Sequence, residues 1–165
     1  MKKIILHILA IAIIVAVTVL VVVGLENAED TTAGLPEVAP AETVLTYSYD
    51  QGFNGYYYQY TISRTELKVV TQDDTGDEYT ETTYELDPGV LEYLYDVMAL
   101  YQFSDIDIIE DFAADMGGTS IVLDLGGGTT IDKTATGGSY VDPEDLAEFD
   151  LIASEIETFV AEYHQ

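Results

Sequence analysis

The chain of 165 residues has no cysteine and no tryptophan, two histidines, and five lysines and arginines against 31 aspartates and glutamates. Without cysteine there can be no disulfide, thiolate metal site, cysteine nucleophile or acylated lipoprotein N-terminus. His7 falls in an apolar run and His164 is next to last in the chain. A Ser–His or Cys–His catalytic pair and a histidine-ligated zinc site are thereby excluded. Lys2 and Lys3 precede the apolar run, which leaves Arg64, Lys68 and Lys133 as the only cations among all the carboxylates that follow. Such a surface repels phosphate, so neither nucleic acid, nucleotide nor an anionic lipid surface is expected as a partner. A two-carboxylate glycosidase is compatible with the composition, but one small core leaves little room for a sugar cleft. The chain reads as non-enzymatic, with no catalytic residue, metal or cofactor assigned.

What is present begins with Ile4 to Val23, apolar except for His7 and Thr18, with lysines in front and Glu26, Glu29 and Asp30 behind. Twenty helical residues reach about 30 Å, the thickness of a bilayer's hydrocarbon core. The run is longer than the apolar core of a signal peptide, and Val22-Val23-Gly24 is a mediocre cleavage site. Residues 1–25 are therefore expected to form one N-terminal transmembrane helix, with a cleaved signal as the alternative. The lysines predict a cytoplasmic N-terminus, a single pass through the cell membrane and a C-terminal domain outside. His7 reads as a neutral side chain tolerated near the inner interface.

Residues 26–42, rich in Ala, Pro, Thr and acid, show neither helical nor strand period and read as an acidic linker. Segment 43–165 is long enough for one extracytoplasmic domain. Thr43–Tyr49 and Tyr56–Ser63 flank a turn cluster and predict a hairpin, and Glu66–Thr71 and Glu78–Leu86 predict another around Asp73–Asp77. Asp87-Pro88 predicts an N-cap and first helical residue. Val90, Leu91, Leu94, Val97, Met98 and Tyr101 then fall on one helical face. The looser acidic segment Ser104–Asp115 is expected to add a helical turn. Ser120–Leu125 and Thr129–Thr134 predict a hairpin, and Asp142-Pro143 opens a last helix with Leu146, Phe149, Ile152, Ala153, Ile156, Phe159, Val160 and Tyr163 on one stripe. The order ββββ-α-ββ-α argues an α+β fold, a mostly antiparallel sheet with helices packed on one face.

Three features compete for a functional role. Asp124-Leu125-Gly126-Gly127-Gly128-Thr129 resembles the phosphate loop of the actin and heat-shock ATPase superfamily. Those enzymes clamp a nucleotide between two large lobes, which this chain cannot build, so the glycines read as a hairpin turn. The acidic groups Asp73, Asp74, Asp77, Glu78 and Asp105, Asp107, Glu110, Asp111, Asp115 could attract Ca²⁺, but neither has the spacing of a calcium loop. Tyr47, Tyr49, Tyr56, Tyr58 and Tyr60 line one hairpin face, either packed against a helix or open for recognition. Gln51, Gly52, Phe53, Asn54, Gly55, Tyr56, Tyr58 and Tyr60 are the candidate partner-binding residues.

Residues 45–163 also resemble the emfourin family of small inhibitors of thermolysin-like metalloproteases. Gly52-Phe53-Asn54-Gly55 is similar to that family's GGFxG turn, with Gln51 in place of the first glycine. Leu86-Asp87-Pro88, Tyr101-Gln102-Phe103, the hairpin Ile121–Lys133, and Val141-Asp142-Pro143 with Leu146 match its later landmarks in order. The resemblance implies a loop, Asp50–Gly55, presented to a protease cleft. Three functions therefore stand: a membrane-anchored module for an unknown protein partner, an emfourin-like protease inhibitor, and a Ca²⁺-dependent component of the cell envelope.

Overall fold

The computed structural model describes residues 34–52, 55–72, 78–110 and 116–163. Four strands come first: β1 (Val44–Gly52), β2 (Tyr57–Ile62), β3 (Glu66–Gln72) and β4 (Tyr79–Glu85). Helix α1 (Val90–Leu100), a 3-10 turn (Phe103–Asp105) and β5 (Ile108–Glu110) follow. The chain then forms β6 (Met116–Gly126), β7 (Thr129–Ala135), β8 (Ser139–Val141) and helix α2 (Leu146–Tyr163). The main sheet has six strands in the order β4-β3-β2-β1-β6-β7, and every neighbouring pair is antiparallel. The fold is α+β, with a mostly antiparallel sheet and two helices.

Period-two alternation sends one side of each strand into the core. Leu45, Tyr47, Ile62, Leu67, Val69, Ile121, Leu123 and Leu125 are buried against the helices, while Thr46, Ser48, Gln59, Thr61 and Val122 on the other face are only partly covered. Helix α1 answers with Leu91, Leu94, Tyr95 and Met98, and α2 with Phe149, Ile152, Ile156 and Val160. Each such side chain contributes about 1.5–3 kcal/mol through removal from water. Gly126, Gly127 and Gly128 turn β6 into β7 with φ of 78, 62 and 87°, a left-handed run that only glycine adopts cheaply. The loop that resembles a phosphate cradle is thus a hairpin turn.

Several expectations need correction. Asp87-Pro88 does not start α1. Gly89, at φ 94°, stands at the N-cap without a side-chain cap, and the helix begins at Val90. Asp142-Pro143 forms a turn ahead of α2, where the Asp142 carboxylate accepts from the Glu144 amide at 2.9 Å. The acidic stretch after α1, expected to give a helical turn, has a 3-10 turn at Phe103–Asp105 and then the short strand β5, which pairs with β8 in a two-stranded sheet. β6 starts at Met116 rather than Ser120 because Gly117 and Gly118 pair with neighbouring strands that approach too closely for a side chain; a Cβ at Gly118 would fall 1.9 Å from the Ala135 carbonyl oxygen.

The largest revision concerns residues 34–42, assigned to the linker by composition. Ala39 is buried and Leu35 packs against the core. The Tyr95 hydroxyl donates to the Pro36 carbonyl at 2.8 Å, and the Arg64 guanidinium donates to the carbonyls of Ala39, Pro40 and Ala41 while pairing with Glu92. The segment is ordered by tertiary partners, so the domain begins at Gly34. No helix among the described residues is long and apolar enough to cross a membrane, and the apolar run 4–23 lies outside the described residues.

Candidate recognition face

The register of the sheet places Tyr47, Tyr49, Tyr58 and Tyr60 on the side facing the helices. Tyr47 is opposite Tyr60, and Tyr49 is opposite Tyr58. Their rings stack at centroid distances of 5.7 Å for Tyr47–Tyr60 and 5.3 Å for Tyr49–Tyr58. Tyr56 continues the row 5.5 Å from Tyr58. Tyr47 is buried, Tyr49, Tyr58 and Tyr60 are half-buried, and Tyr56 is exposed. The candidate set is therefore split. Tyr60 packs against the core, Tyr58 is partly covered with its hydroxyl bonded to Glu157 at an exposed position, and Tyr56 is accessible.

Helix α2 explains the gradient. Its first turns, through Leu146 and Phe149, border the same cavity as Thr119 and Ala135 of β6 and β7. Its middle reaches β1 and β2 through Glu157, and its end meets β4 where Tyr163 contacts Tyr84 edge-on at 6.4 Å. An oblique crossing of this kind leaves the β1–β2 corner at Tyr49, Tyr58 and Tyr56 without a full roof. Glu157 Oε1 accepts both the Tyr47 and the Tyr58 hydroxyl, each at 2.6 Å.

Burial, and secondarily the bond to Glu157, push the Tyr47 hydroxyl far above the ordinary tyrosine range. The same two causes raise Tyr58, and burial with the Glu157 charge raises Tyr60 to about 12. These hydroxyls hold their protons, which suits them to packing and contact rather than proton transfer.

At the tip of the hairpin, the Gln51 amide donates to the Tyr56 carbonyl at 3.1 Å and the Gly55 amide to the Gly52 carbonyl at 2.8 Å. The Asp50 carboxylate accepts from the Gly52 amide at 2.8 Å. A Cβ at Gly55 would lie 2.4 Å from the Gln51 Cβ, so the turn has no space for a side chain there. Gln51, Gly52 and Gly55 are thus held in a closed turn, and Phe53 and Asn54 lie outside the described residues.

Beside the tyrosines, a cavity of ≈ 420 Å³ opens between β6, β7, β8 and the start of α2, with Thr119, Ala135, Val141, Leu146 and Phe149 on its walls. No periodicity in the sequence announces it, because its walls come from four elements joined only by register. Thr119 is the Cα partner of both Ala135 and Tyr49, and Tyr49 of Tyr58. Cavity and tyrosines therefore share one rung of the sheet.

The acidic residues behave differently. Among the described residues no group of three or more metal-ligating side chains is placed to hold an ion, and Asp73, Asp74, Asp77, Asp111 and Asp115 lie outside them. Asp105, Asp107, Asp132 and Asp145 instead surround the Lys133 ammonium, which donates to the carbonyls of Ser104 and Ile106. Burial lowers the Lys133 pKa and these carboxylates oppose the shift. No family model matches the chain, and neither does any curated protein.

Proposed function

We propose that the chain is a membrane-anchored, non-enzymatic module that binds a protein partner outside the cell. The observation that supports it most is the rung Ala135–Thr119–Tyr49–Tyr58, where half-buried aromatic rings sit beside an open cavity. Aromatic side chains of this kind dominate the centres of protein interfaces because they offer large rigid contact area with a polar edge. The apolar run 4–23, with lysines before it and acids after it, supports the anchor and the outward orientation. The test is a photo-crosslinking side chain placed at Tyr56, or at Thr83 on the opposite sheet face, in the full-length chain in its native cells. A discrete adduct from position 56 and none from position 83 is expected. No adduct from either, or the same adducts from both, overturns the reading.

A second reading is an emfourin-like inhibitor of thermolysin-type metalloproteases. The hydrogen bonds of Gln51 to Tyr56 and of Gly55 to Gly52 support it, since a hairpin end fixed at both sides presents its tip at low entropic cost. Titrating the full-length chain in lipid nanodiscs into a thermolysin-like protease, at low and at molar salt, tests it. Stoichiometric, saturable inhibition is expected under this reading, and digestion of the chain or undiminished protease activity removes it.

A further inference from the structure

We propose that the cavity between β6, β7, β8 and α2 receives an apolar side chain of the partner that is flanked by basic residues. The inference rests on the protein-binding reading above and names the chemistry of the partner.

The cavity volume of ≈ 420 Å³ lies within the range of sites that enclose small ligands or large side chains. Phe149 and Val141 are buried in its wall, while Tyr140 and Leu146, each 45% exposed, stand at its rim. Two half-exposed large apolar residues flanking a hollow mark a place where a partner can cover apolar surface. Insertion of an aromatic or branched side chain would remove the rim and the wall from water together.

Charge selects what flanks that side chain. Asp150, exposed, lines the same cavity and is its one charged wall residue among the described residues. The three cations of the domain are committed elsewhere: Arg64 to the carbonyls of residues 39–41 and to Glu92, Lys68 to Glu81 at 2.8 Å, and Lys133 to the carbonyls of Ser104 and Ile106. An acidic peptide would find no counter-charge at this site and would meet the repulsion of 31 carboxylates. A basic one is steered toward it and gains from every lysine or arginine outside the cavity. Tyr49, whose other strand neighbour is the cavity residue Thr119, adds a half-buried aromatic ring against which such cations can rest.

The absence of tryptophan from the chain gives a clean readout. The probe is the peptide Lys-Lys-Trp-Lys-Lys, titrated with the full-length protein in lipid nanodiscs, with Glu-Glu-Trp-Glu-Glu as control and empty nanodiscs as blank. A saturable blue shift of the indole emission is expected with the basic peptide alone. Leu146→Ser and Tyr140→Ser, at rim positions already half exposed, should each weaken binding about tenfold. Leu151→Ser, 46% exposed on the same helix but not on the cavity wall, should leave it unchanged. An indole that stays in water, or equal weakening by Leu146→Ser and Leu151→Ser, overturns the site. If the Tyr56 crosslink persists in the Leu146→Ser variant with undiminished yield, the cavity proposal fails while the binding reading stands. If no crosslink forms in any variant, the binding reading itself fails.

Discussion

The hydroxyl of Tyr47 donates to Glu157 Oε1 at 2.6 Å, tying the middle of β1 to α2 across 110 residues of chain. Tyr47 is almost fully buried, and its hydroxyl is held by Glu157 with Tyr58 beside it. Glu157→Ala should therefore cost about 2 kcal/mol, by removing the charged acceptor that Tyr47 and Tyr58 share. Tyr47→Phe should cost only about 1 kcal/mol, since the carboxylate keeps Tyr58 and water. The order of the two denaturation midpoints checks the claim, and a Tyr47→Phe variant weaker than Glu157→Ala would contradict it.

Alkaline pH should act through the same cluster. Folding raises the pKa of Tyr47, Tyr58 and Tyr60 above the unfolded value near 10, Tyr60 to about 12. A raised folded pKa means stability present below pH 10 and lost as pH climbs from about 10 through 12 and beyond. Lys133 works in the opposite sense: its lowered folded pKa penalises the folded state while charged, and the penalty fades as pH approaches the unfolded value of 10.5. Three tyrosines outweigh one lysine, so a net loss is expected. Tyrosinate absorbance followed together with far-ultraviolet circular dichroism should show some tyrosines ionising only as the fold is lost. Ionisation of every tyrosine near pH 10 with the fold intact would refute it.

Arg64 orders the segment before β1. Arg64→Ala should free residues 34–42 at a cost of about 2 kcal/mol, because it removes charge-assisted bonds to three carbonyls. Arg64→Lys should restore only part of this, since a lysine lacks the planar fork that spans neighbouring acceptors. Faster exchange of the Thr43 amide, which donates to the Pro40 carbonyl at 3.1 Å, and new protease nicks in 34–42 are the readouts.

Thr43 carries a buried hydroxyl, 2% exposed as a residue, whose Oγ1 has no hydrogen-bond partner among the described residues. Thr43→Val keeps the shape and removes the unsatisfied group, so it should raise stability by about 1 kcal/mol. An unfolding midpoint at or below that of the parent would show that the hydroxyl is satisfied after all.

Salt should stabilise the domain. Glu148, Asp150, Glu155, Glu157 and Glu162 lie on α2, which has no lysine or arginine, and none of its last-turn residues offsets the helix dipole. Screening at molar salt shortens the reach of their repulsion to about 3 Å. The melting temperature should rise between low and molar NaCl, and a constant value would contradict this. Ca²⁺ and Mg²⁺ at equal ionic strength should act alike, whereas a larger shift with Ca²⁺ would favour the calcium-dependent envelope role.

Much of the fold was legible because its signals are local. Leu91, Leu94 and Met98 announce a helix at i, i+3 and i+7, and the alternation of Tyr47, Tyr49, Tyr58 and Tyr60 announces a strand face. The boundaries at Gly89 and Gly117-Gly118 were not legible, since glycine's backbone role there depends on a left-handed φ in one case and on the approach of a neighbouring strand in the other. Tyr95 is absent from the expected helical stripe yet buried, because its hydroxyl end meets the segment around Pro36, which is itself ordered by that contact and by Arg64.

By itself the sequence determined the two helices, the strands of the main sheet and their hairpin pairs, the acid excess and the chemistries a chain without cysteine and nearly without histidine cannot perform. These follow from periodicity, turn residues and composition, which act over a few neighbours. Only the tertiary structure decided which tyrosines are covered and which stay open, that the domain begins at Gly34, and that Thr119 brings a cavity alongside Tyr49. Those outcomes depend on the β1–β6 register and on the crossing of α2. Both are fixed by packing between segments some seventy to a hundred residues apart, beyond the reach of any local pattern.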